Sequence, residues 1–297
     1  MIPEMGGAGP SGAEGPVGLQ LRVDGEPLHL AVHRAATPIQ IRRGTGHGSV
    51  TEHPTHARRR AVAILDVDPD LAADMDDERA MSARAHAIAA IETFAPGVWP
   101  ASSLDIIDPR GALGLLVVDG LLSRDVAVGS ASFTELIGEG EILRPWDMGV
   151  GTPGEEPSVT WQVMVTARLA ILDRRFVSRT ARWPEVSTAL LGRAIKRSRA
   201  LAVQLAICNL QRVETRLLLL MWNLAERWGR VSRDGIVLPL DLTHRLLASL
   251  VGARRPTVTT ALKELTAQGR ISRRDDGMWV LHGDPPPELR QLYATLS

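Results

Sequence analysis

Cysteine is nearly absent: Cys208 is the single one in 297 residues. No internal disulfide can form, and one thiol cannot build a multi-thiolate zinc or iron–sulfur site. A reducing compartment is the expectation. No uninterrupted apolar run reaches the roughly 18 residues that a membrane helix needs. The opening MIPEMGGAGPSGAEGPVG also lacks the basic-then-apolar order of a secretory signal. The chain is therefore expected to be cytoplasmic, with no membrane contact. Catalytic signatures are missing as well, with no G-x-S-x-G, no H-E-x-x-H and no P-loop. The histidines (His29, His33, His47, His53, His56, His86, His244 and His282) are scattered, without partners at metal-ligand spacing. The carboxylates of DVDPDLAADMDDE lack the order of a calcium loop, with its central glycine and its glutamate at the twelfth place, and read as a solvated helix start. These absences predict a protein that is not an enzyme and holds no metal or cofactor.

Net charge is missing too, at a formal +0, but the zero conceals an asymmetry. Residues 61–170 hold 18 Asp and Glu against 6 Lys and Arg, whereas residues 171–282 hold 20 Lys and Arg against 9 Asp and Glu. A basic C-terminal half suits a polyanionic partner, or it simply solvates the surface. Hydrophobic residues at 44% and charged residues at 23% exclude collagen-like, disulfide-rich and wholly disordered classes. The length allows about two domains.

Residues 1–60 show no sustained period and read as a mobile tail, with one hairpin signal, LQLRVDGEPLHLAV, around an Asp-Gly. RRRAVAILDVDPDLAADMDDERAMSARAHAIAAIETF has helical spacing, with Asp68 or Asp70 placed to cap its start. Over residues 105–170 the runs LGLLVVDGLL, DVAVGS, GEILRP and VTWQVMVTARLAIL are short, strand-like and separated by turn residues, which predicts a small antiparallel β domain. A long helix follows in STALLGRAIKRSRALAVQLAICNLQRV. Leu190, Leu191, Ala194, Ile195, Leu201, Leu205 and Leu210 lie near one face of it, with Arg193, Lys196, Arg197 and Arg199 mostly opposite. Such a stripe either faces the chain's own core or forms a dimer seam. A seam would use Leu190, Leu191, Ala194, Leu201, Leu205 and Cys208. Cys208 itself reads as a small buried hydrophobe. RVETRLLLLMWNLAERWG is a strongly apolar helix stopped by Gly229, and VSRDGIVLPLDL is a short hairpin.

The chemistry concentrates in DLTHRLLASLVGARRPTVTTALKEL. Leu246, Leu247, Leu250 and Val251 recur at helical spacing, Gly252 permits a tight turn, and Val258, Leu262 and Leu265 give the second helix an inner face. This is helix-turn-helix spacing. Pro256 fits the first turn of the second helix, where a missing N–H costs nothing. Arg254, Arg255, Thr257, Thr259 and Thr260 are then candidates for the major groove, Lys263 is a further DNA-binding candidate, and Thr243 and His244 at the start of the first helix are candidates for phosphate contact. Arginine can donate twice to guanine, and a threonine methyl can pack on that of thymine. TAQGRISRRDDGMWVLHG has the strand–turn–strand pattern of a wing, with Arg273 and Arg274 placed to meet phosphates.

Residues 62–283, and most specifically LPLDLTHRLLASLVGARRPTVTTALKELTAQGRISRRDDGMWVLHG, resemble the Crp/Fnr family of bacterial transcription regulators. The resemblance implies an α+β fold: an N-terminal antiparallel β-roll of the cyclic-nucleotide-binding kind (61–184), a dimerisation helix (185–211) and a C-terminal winged helix-turn-helix (212–283). Residues 284–297 are left as a tail. It also implies a homodimer on a two-fold symmetric double-stranded DNA operator, with RNA polymerase and an unidentified small-molecule effector as further partners. Arg255 matches the family's first base-reading arginine, while Pro256 stands where glutamate is common and Thr260 where a second base-reading arginine falls. The cyclic AMP cassette is missing: Arg144-Pro145 occupy the place of Gly-Glu, and Pro157-Ser158 the place of Arg-Ser. Arg144, Trp146 and Trp161 are the candidates for another anionic effector; alternatively the tryptophans are core and Arg144 pairs locally. A rival function is a sensor or scaffold whose helix-turn-helix makes only protein contacts.

Overall fold

The computed structural model describes residues 60–99, 108, 110–129, 131–146 and 158–296, together with the strands Arg22–Val23 (β1) and Glu26–Pro27 (β2). The chain divides into two units, residues 1–37 and 38–297. In the first, β1 and β2 pair antiparallel on either side of the Asp-Gly that signals a hairpin. The rest of the tail expected over 1–60, including its five histidines, lies outside the described residues apart from Arg60.

In the second unit an antiparallel sheet is built on two 15-residue strands, Gly114–Val128 (β6) and Ser158–Leu172 (β9). Around them lie Arg60–Ala63 (β3), Ile88–Phe94 (β4), Gly97–Val98 (β5), Ala131–Gly138 (β7) and Ile142–Leu143 (β8), in the order β3-β4-β9-β6-β7, with β5 on β9 and β8 on β6. Alternation divides the side chains between two cores. Leu115, Val117, Leu169 and Ile171 pack with Trp99, Leu143 and Trp161 on one face, while Leu116, Val118, Ala170 and Leu172 pack with Phe176, Trp183 and Leu190 on the other.

LGLLVVDGLL and DVAVGS, which look like two strands, belong to the single strand β6, bent by register shifts between Val117 and Leu122. Gly120 makes the bend possible. Its φ is +100°, and an added Cβ would lie 2.5 Å from the Cα of Ala167 and from the Thr166 carbonyl oxygen. Gly120→Ala is therefore expected to lower stability by more than about 1 kcal/mol in denaturant unfolding, since strain and backbone collision act together.

One helical expectation is corrected. Ile88–Phe94 is strand β4, with Ala89 and Ile91 buried and the strand hydrogen-bonded to β3 and β9. Alanine and isoleucine there happen to fall at helical spacing, and pairing within the sheet overrides that preference. Before it come only the short helices Ile64–Val67 (α1) and Asp77–Arg84 (α2) and a 3₁₀ turn at Pro69–Ala72. The cap of α2 is Asp76, which accepts from the Arg79 amide at 2.8 Å, rather than Asp68 or Asp70.

Beyond Arg174–Thr180 (α3), capped by Asp173, runs the 25-residue helix Pro184–Cys208 (α4). It has two apolar faces rather than one. Val186, Leu190, Val203 and Ile207 are buried against the rest of the chain, whereas Leu191, Ile195 and Leu205 are 60%, 47% and 56% exposed. Arg193 and Arg197, expected to point outward, lie on the inner side. Arg193 grips both oxygens of Asp68, and Arg197 holds Glu135 at 2.6 and 2.9 Å and donates to the Ile142 carbonyl at 2.7 Å. An outward stripe and an inward stripe, each with its own spacing, had merged into one broad face in the sequence.

Val213–Trp228 (α5) is buried continuously from Leu217 to Ala225. It leads through Arg230–Ser232 (β10) and Gly235–Leu238 (β11) to the helices His244–Leu250 (α6) and Arg255–Ala267 (α7), and then to Ile271–Arg273 (β12) and Trp279–Leu281 (β13). The small sheet has the order β10-β11-β13-β12. Leu121 and Leu136 of the large sheet join this C-terminal core. The expected C-terminal tail is largely a helix, Pro287–Leu296 (α8), which has Leu289 buried and the Tyr293 hydroxyl donating to Asn223 at 2.7 Å. Among the described residues no helix is long and apolar enough to cross a membrane.

Candidate nucleic-acid interface

Helix α6 starts because Thr243 caps it, its hydroxyl accepting from the Leu246 amide at 3.2 Å. The turn after Leu250 passes through Gly252 at φ +61°, with the Ala253 amide donating to the Ala248 carbonyl at 2.9 Å. Arg254 then takes an extended conformation as the cap of α7, and Pro256 sits in that helix's first turn. Val258, Ala261, Leu262 and Leu265 bury the inner face of α7. The opposite side presents Arg254, Arg255, Thr257, Thr260 and Lys263, all exposed, while Thr259 is half-buried.

The threonines are partly committed. Thr259 donates to the Arg255 carbonyl at 3.0 Å and Thr260 to the Pro256 carbonyl at 3.3 Å. Their hydroxyl hydrogens return to the helix backbone, so they offer a partner lone pairs and methyl groups rather than donors. Thr243 is the complement: its oxygen accepts within the cap and its hydrogen stays available.

Beside α7 stands the β12–β13 hairpin. Arg273 lies with its guanidinium 5.4 Å from the centre of the Trp279 ring and donates to the Gly277 carbonyl at 3.2 Å. Arg274 faces Asp276 at 3.3 Å in an exposed pair, which contributes at most about 1 kcal/mol and yields easily to a phosphate. Trp279 is the residue the sequence reading missed. Its ring lies 6.4 Å from that of His244, and its indole N–H donates to the Leu242 carbonyl at 3.2 Å, so it ties the wing to the start of α6. The alternation of MWVLHG marked only a strand, and nothing in the spacing singled out this contact. His244 Nδ1 lies 3.0 Å from the Thr259 hydroxyl. Burial, then Arg273, then Arg255 hold the His244 pKa below the usual histidine value.

The other candidates divide differently. Among the residues named for a dimer seam, Leu191, Ala194 and Leu205 are exposed and Leu201 is half-buried. Leu190 is withdrawn from that set because it is 2% exposed inside the chain's own core. Cys208 is withdrawn too, since its thiol donates to the Leu250 carbonyl at 3.3 Å within the same chain, and burial pushes its pKa up. Of the effector candidates, Arg144 donates to the carbonyls of Ala112 and Leu113 at 2.6 and 3.2 Å and lies over the Trp146 ring at 5.5 Å. Trp161 is core, in edge contact with Trp99 at 5.9 Å. Among the described residues no group of three or more His, Cys, Asp or Glu could hold a metal ion.

An antiparallel sheet, a long helix with an exposed apolar face and a two-helix unit with a basic wing define a winged helix-turn-helix protein with a second, β-rich region. Residues 211–285 match the Crp-like helix-turn-helix domain family. The regulatory protein CysR of Synechococcus elongatus is 36% identical over 91 residues, or 29% of this chain and 44% of CysR. The chain thus covers less than half the length of that curated relative. A cyclic nucleotide-binding domain containing protein from Listeria monocytogenes has the same fold, at 16% identity over 64% of this chain and 87% of that one, with a TM-score of 0.52. FixK2 from Bradyrhizobium japonicum aligns over 69% of this chain and 96% of its own at 14% identity, with a TM-score of 0.49. Residues 211–285 are thus similar to the Crp-like helix-turn-helix domain, and the α+β fold expected for residues 62–283 is shared with the Listeria protein.

Proposed function

We propose that the protein is a sequence-specific transcription regulator which binds a two-fold symmetric operator as a homodimer. It would act without catalysis and respond, if to any small molecule, to one other than cyclic AMP. The observation that carries this reading is the exposure of Arg254, Arg255, Thr257 and Thr260 at the leading end of α7, with Arg273 of the wing alongside. A helix presented by that end fits the major groove, and wing arginines meet the flanking phosphates. In a dimer the two α7 helices would address half-sites about 34 Å apart, one turn of DNA. In vitro selection of DNA with the purified chain should return a palindrome with that spacing, and binding should weaken steeply as salt rises. Selection that returns no consensus at all would instead favour the protein-contact scaffold.

Leu191, Ile195 and Leu205 support the homodimer. Three large apolar side chains, 47–60% exposed along one face of α4, suit a helix-to-helix seam. Leu191→Asp combined with Leu205→Asp is expected to yield a folded monomer in sedimentation, because the charges meet water when the copies separate. Leu190→Asp is expected to unfold the chain instead, since burying one unpaired carboxylate costs several kcal/mol. A Leu191→Asp, Leu205→Asp protein that stays dimeric would rule out the α4 seam.

A further inference from the structure

We propose that His244 couples operator binding to proton uptake: a DNA phosphate meeting the ring at Nε2 draws a proton onto that nitrogen, and binding tightens as the medium is acidified. The inference rests on the DNA-binding function proposed above and deepens it.

The hydrogen-bond chain points to the starting state of the ring. Thr259 has one hydroxyl hydrogen, and the Arg255 carbonyl, 3.0 Å away, can only accept it. The contact of 3.0 Å between Thr259 Oγ1 and His244 Nδ1 is then a hydrogen bond only if Nδ1 carries a hydrogen and donates it. With the Thr259 hydrogen on the Arg255 carbonyl, the neutral ring is the Nδ1–H tautomer, with a bare lone pair on Nε2. Among the described residues His244 makes no other hydrogen bond. A phosphate oxygen is also an acceptor, so the neutral ring has nothing to offer it. With a proton on Nε2 the ring becomes a charge-assisted donor.

Electrostatics oppose that proton in the free protein and favour it in the complex. The charged groups facing the ring are Arg255 from α7 and Arg273 from the wing. The face toward β13 is the uncharged ring of Trp279. Burial first, and then two cations beside an incipient third, hold the His244 pKa below the usual histidine value, and a phosphate drawn in by those same arginines favours the proton in their place. The pKa rises on binding, so between the free and bound values the complex holds one more proton than its parts. Affinity then increases as pH falls through that window, by at most about tenfold per pH unit for one proton. It is flat above the bound-state value.

Fluorescence anisotropy of a labelled duplex carrying the selected operator, read from about pH 8 to about pH 6 at constant ionic strength, tests this in the range where histidine titrates. The wild-type chain should gain about three- to tenfold more affinity over that range than His244→Gln, while His244→Arg, with a fixed charge, should bind tightly with little pH dependence. His282 is held between the Ser272 hydroxyl and the Asp234 carbonyl. It is present in all three proteins, so its contribution cancels. Equal pH slopes for wild type and His244→Gln overturn the coupling and leave DNA binding intact. NMR titration of the His244 ring in the wild-type chain needs no variant, and an unchanged midpoint on adding operator overturns the coupling as well. A wild-type chain that binds no selected duplex better than random DNA overturns both the function and the coupling.

Discussion

Glu135→Ala is expected to cost about 3–5 kcal/mol of folding stability, the scale seen when one partner of a buried ion pair is removed. Glu135 of β7 is 3% exposed at its side chain and bridges two guanidinium groups, Arg197 of α4 at 2.6 and 2.9 Å and Arg124 of β6 at 2.9 Å. Burial works against the Arg197 charge, but Glu135 outweighs it, so the Arg197 pKa is raised rather than lowered. Without that carboxylate the 14%-exposed Arg197 keeps the Ile142 carbonyl and the attraction of Glu141 but no paired carboxylate, and its charge is left in a medium that solvates it poorly. For a chain of this size the loss corresponds to a fall in melting temperature of about 6–20 °C. Glu135→Leu paired with Arg197→Met should recover part of it, because it removes the more deeply buried stranded charge and leaves only the 29%-exposed Arg124 without its carboxylate. If the single variant melts within about 2 °C of wild type, a shift worth under 1 kcal/mol, the bridge is not buried in the sense argued.

That bridge also shows what the sequence concealed. Arg197 and Arg193 look like solvated charges on a helix with one apolar stripe, and only the position of β7 and of the turn near Asp68 reveals that they point inward. Helical spacing reports which residues share a face, not how many faces are covered, so α4 was read with one apolar side where it has two. Alanine-rich β4 misled for a related reason: alanine and isoleucine satisfy either period, and the strands on both sides decide. The α8 helix was legible in principle. Leu289, Leu292 and Tyr293 stand at helical spacing after the prolines, but the run is short and its stability comes from packing on α5. In contrast α5, α6 and α7 were plain, because Gly229, the Thr243 cap, Gly252 and Pro256 all agree with the apolar spacing. In the interface the exposed arginines followed directly from the inner-face residues of α7. The commitments of Thr259 and Thr260 and the backing of His244 by Trp279 depend on atoms far apart in the chain.

Arg255→Ala should weaken binding to the selected operator by about 1–3 kcal/mol, roughly 5- to 150-fold, if its guanidinium donates twice to a guanine. Arg255 is exposed on the first turn of α7, and among the described residues its guanidinium forms no ion pair. Its removal should therefore leave the fold within about 0.5 kcal/mol of wild type, so that the lost affinity reports a lost DNA contact rather than a damaged helix. The pattern matters more than the size. A base-reading arginine, once truncated, should relax preference at one position of each half-site and weaken random DNA far less. If Arg273 and Lys263 meet phosphates as proposed, Arg273→Ala or Lys263→Ala should weaken all duplexes alike and reduce the salt slope by about one. Pro256 beside it cannot donate from its backbone and Thr260 returns its hydroxyl hydrogen to the Pro256 carbonyl, so in the proposed complex Arg255 would carry a disproportionate share of the direct readout from this turn. An Arg255→Ala protein that binds the selected duplex within about twofold of wild type, well under 1 kcal/mol, would remove α7 from the major groove. The same result would leave the basic wing as a non-specific polyanion site.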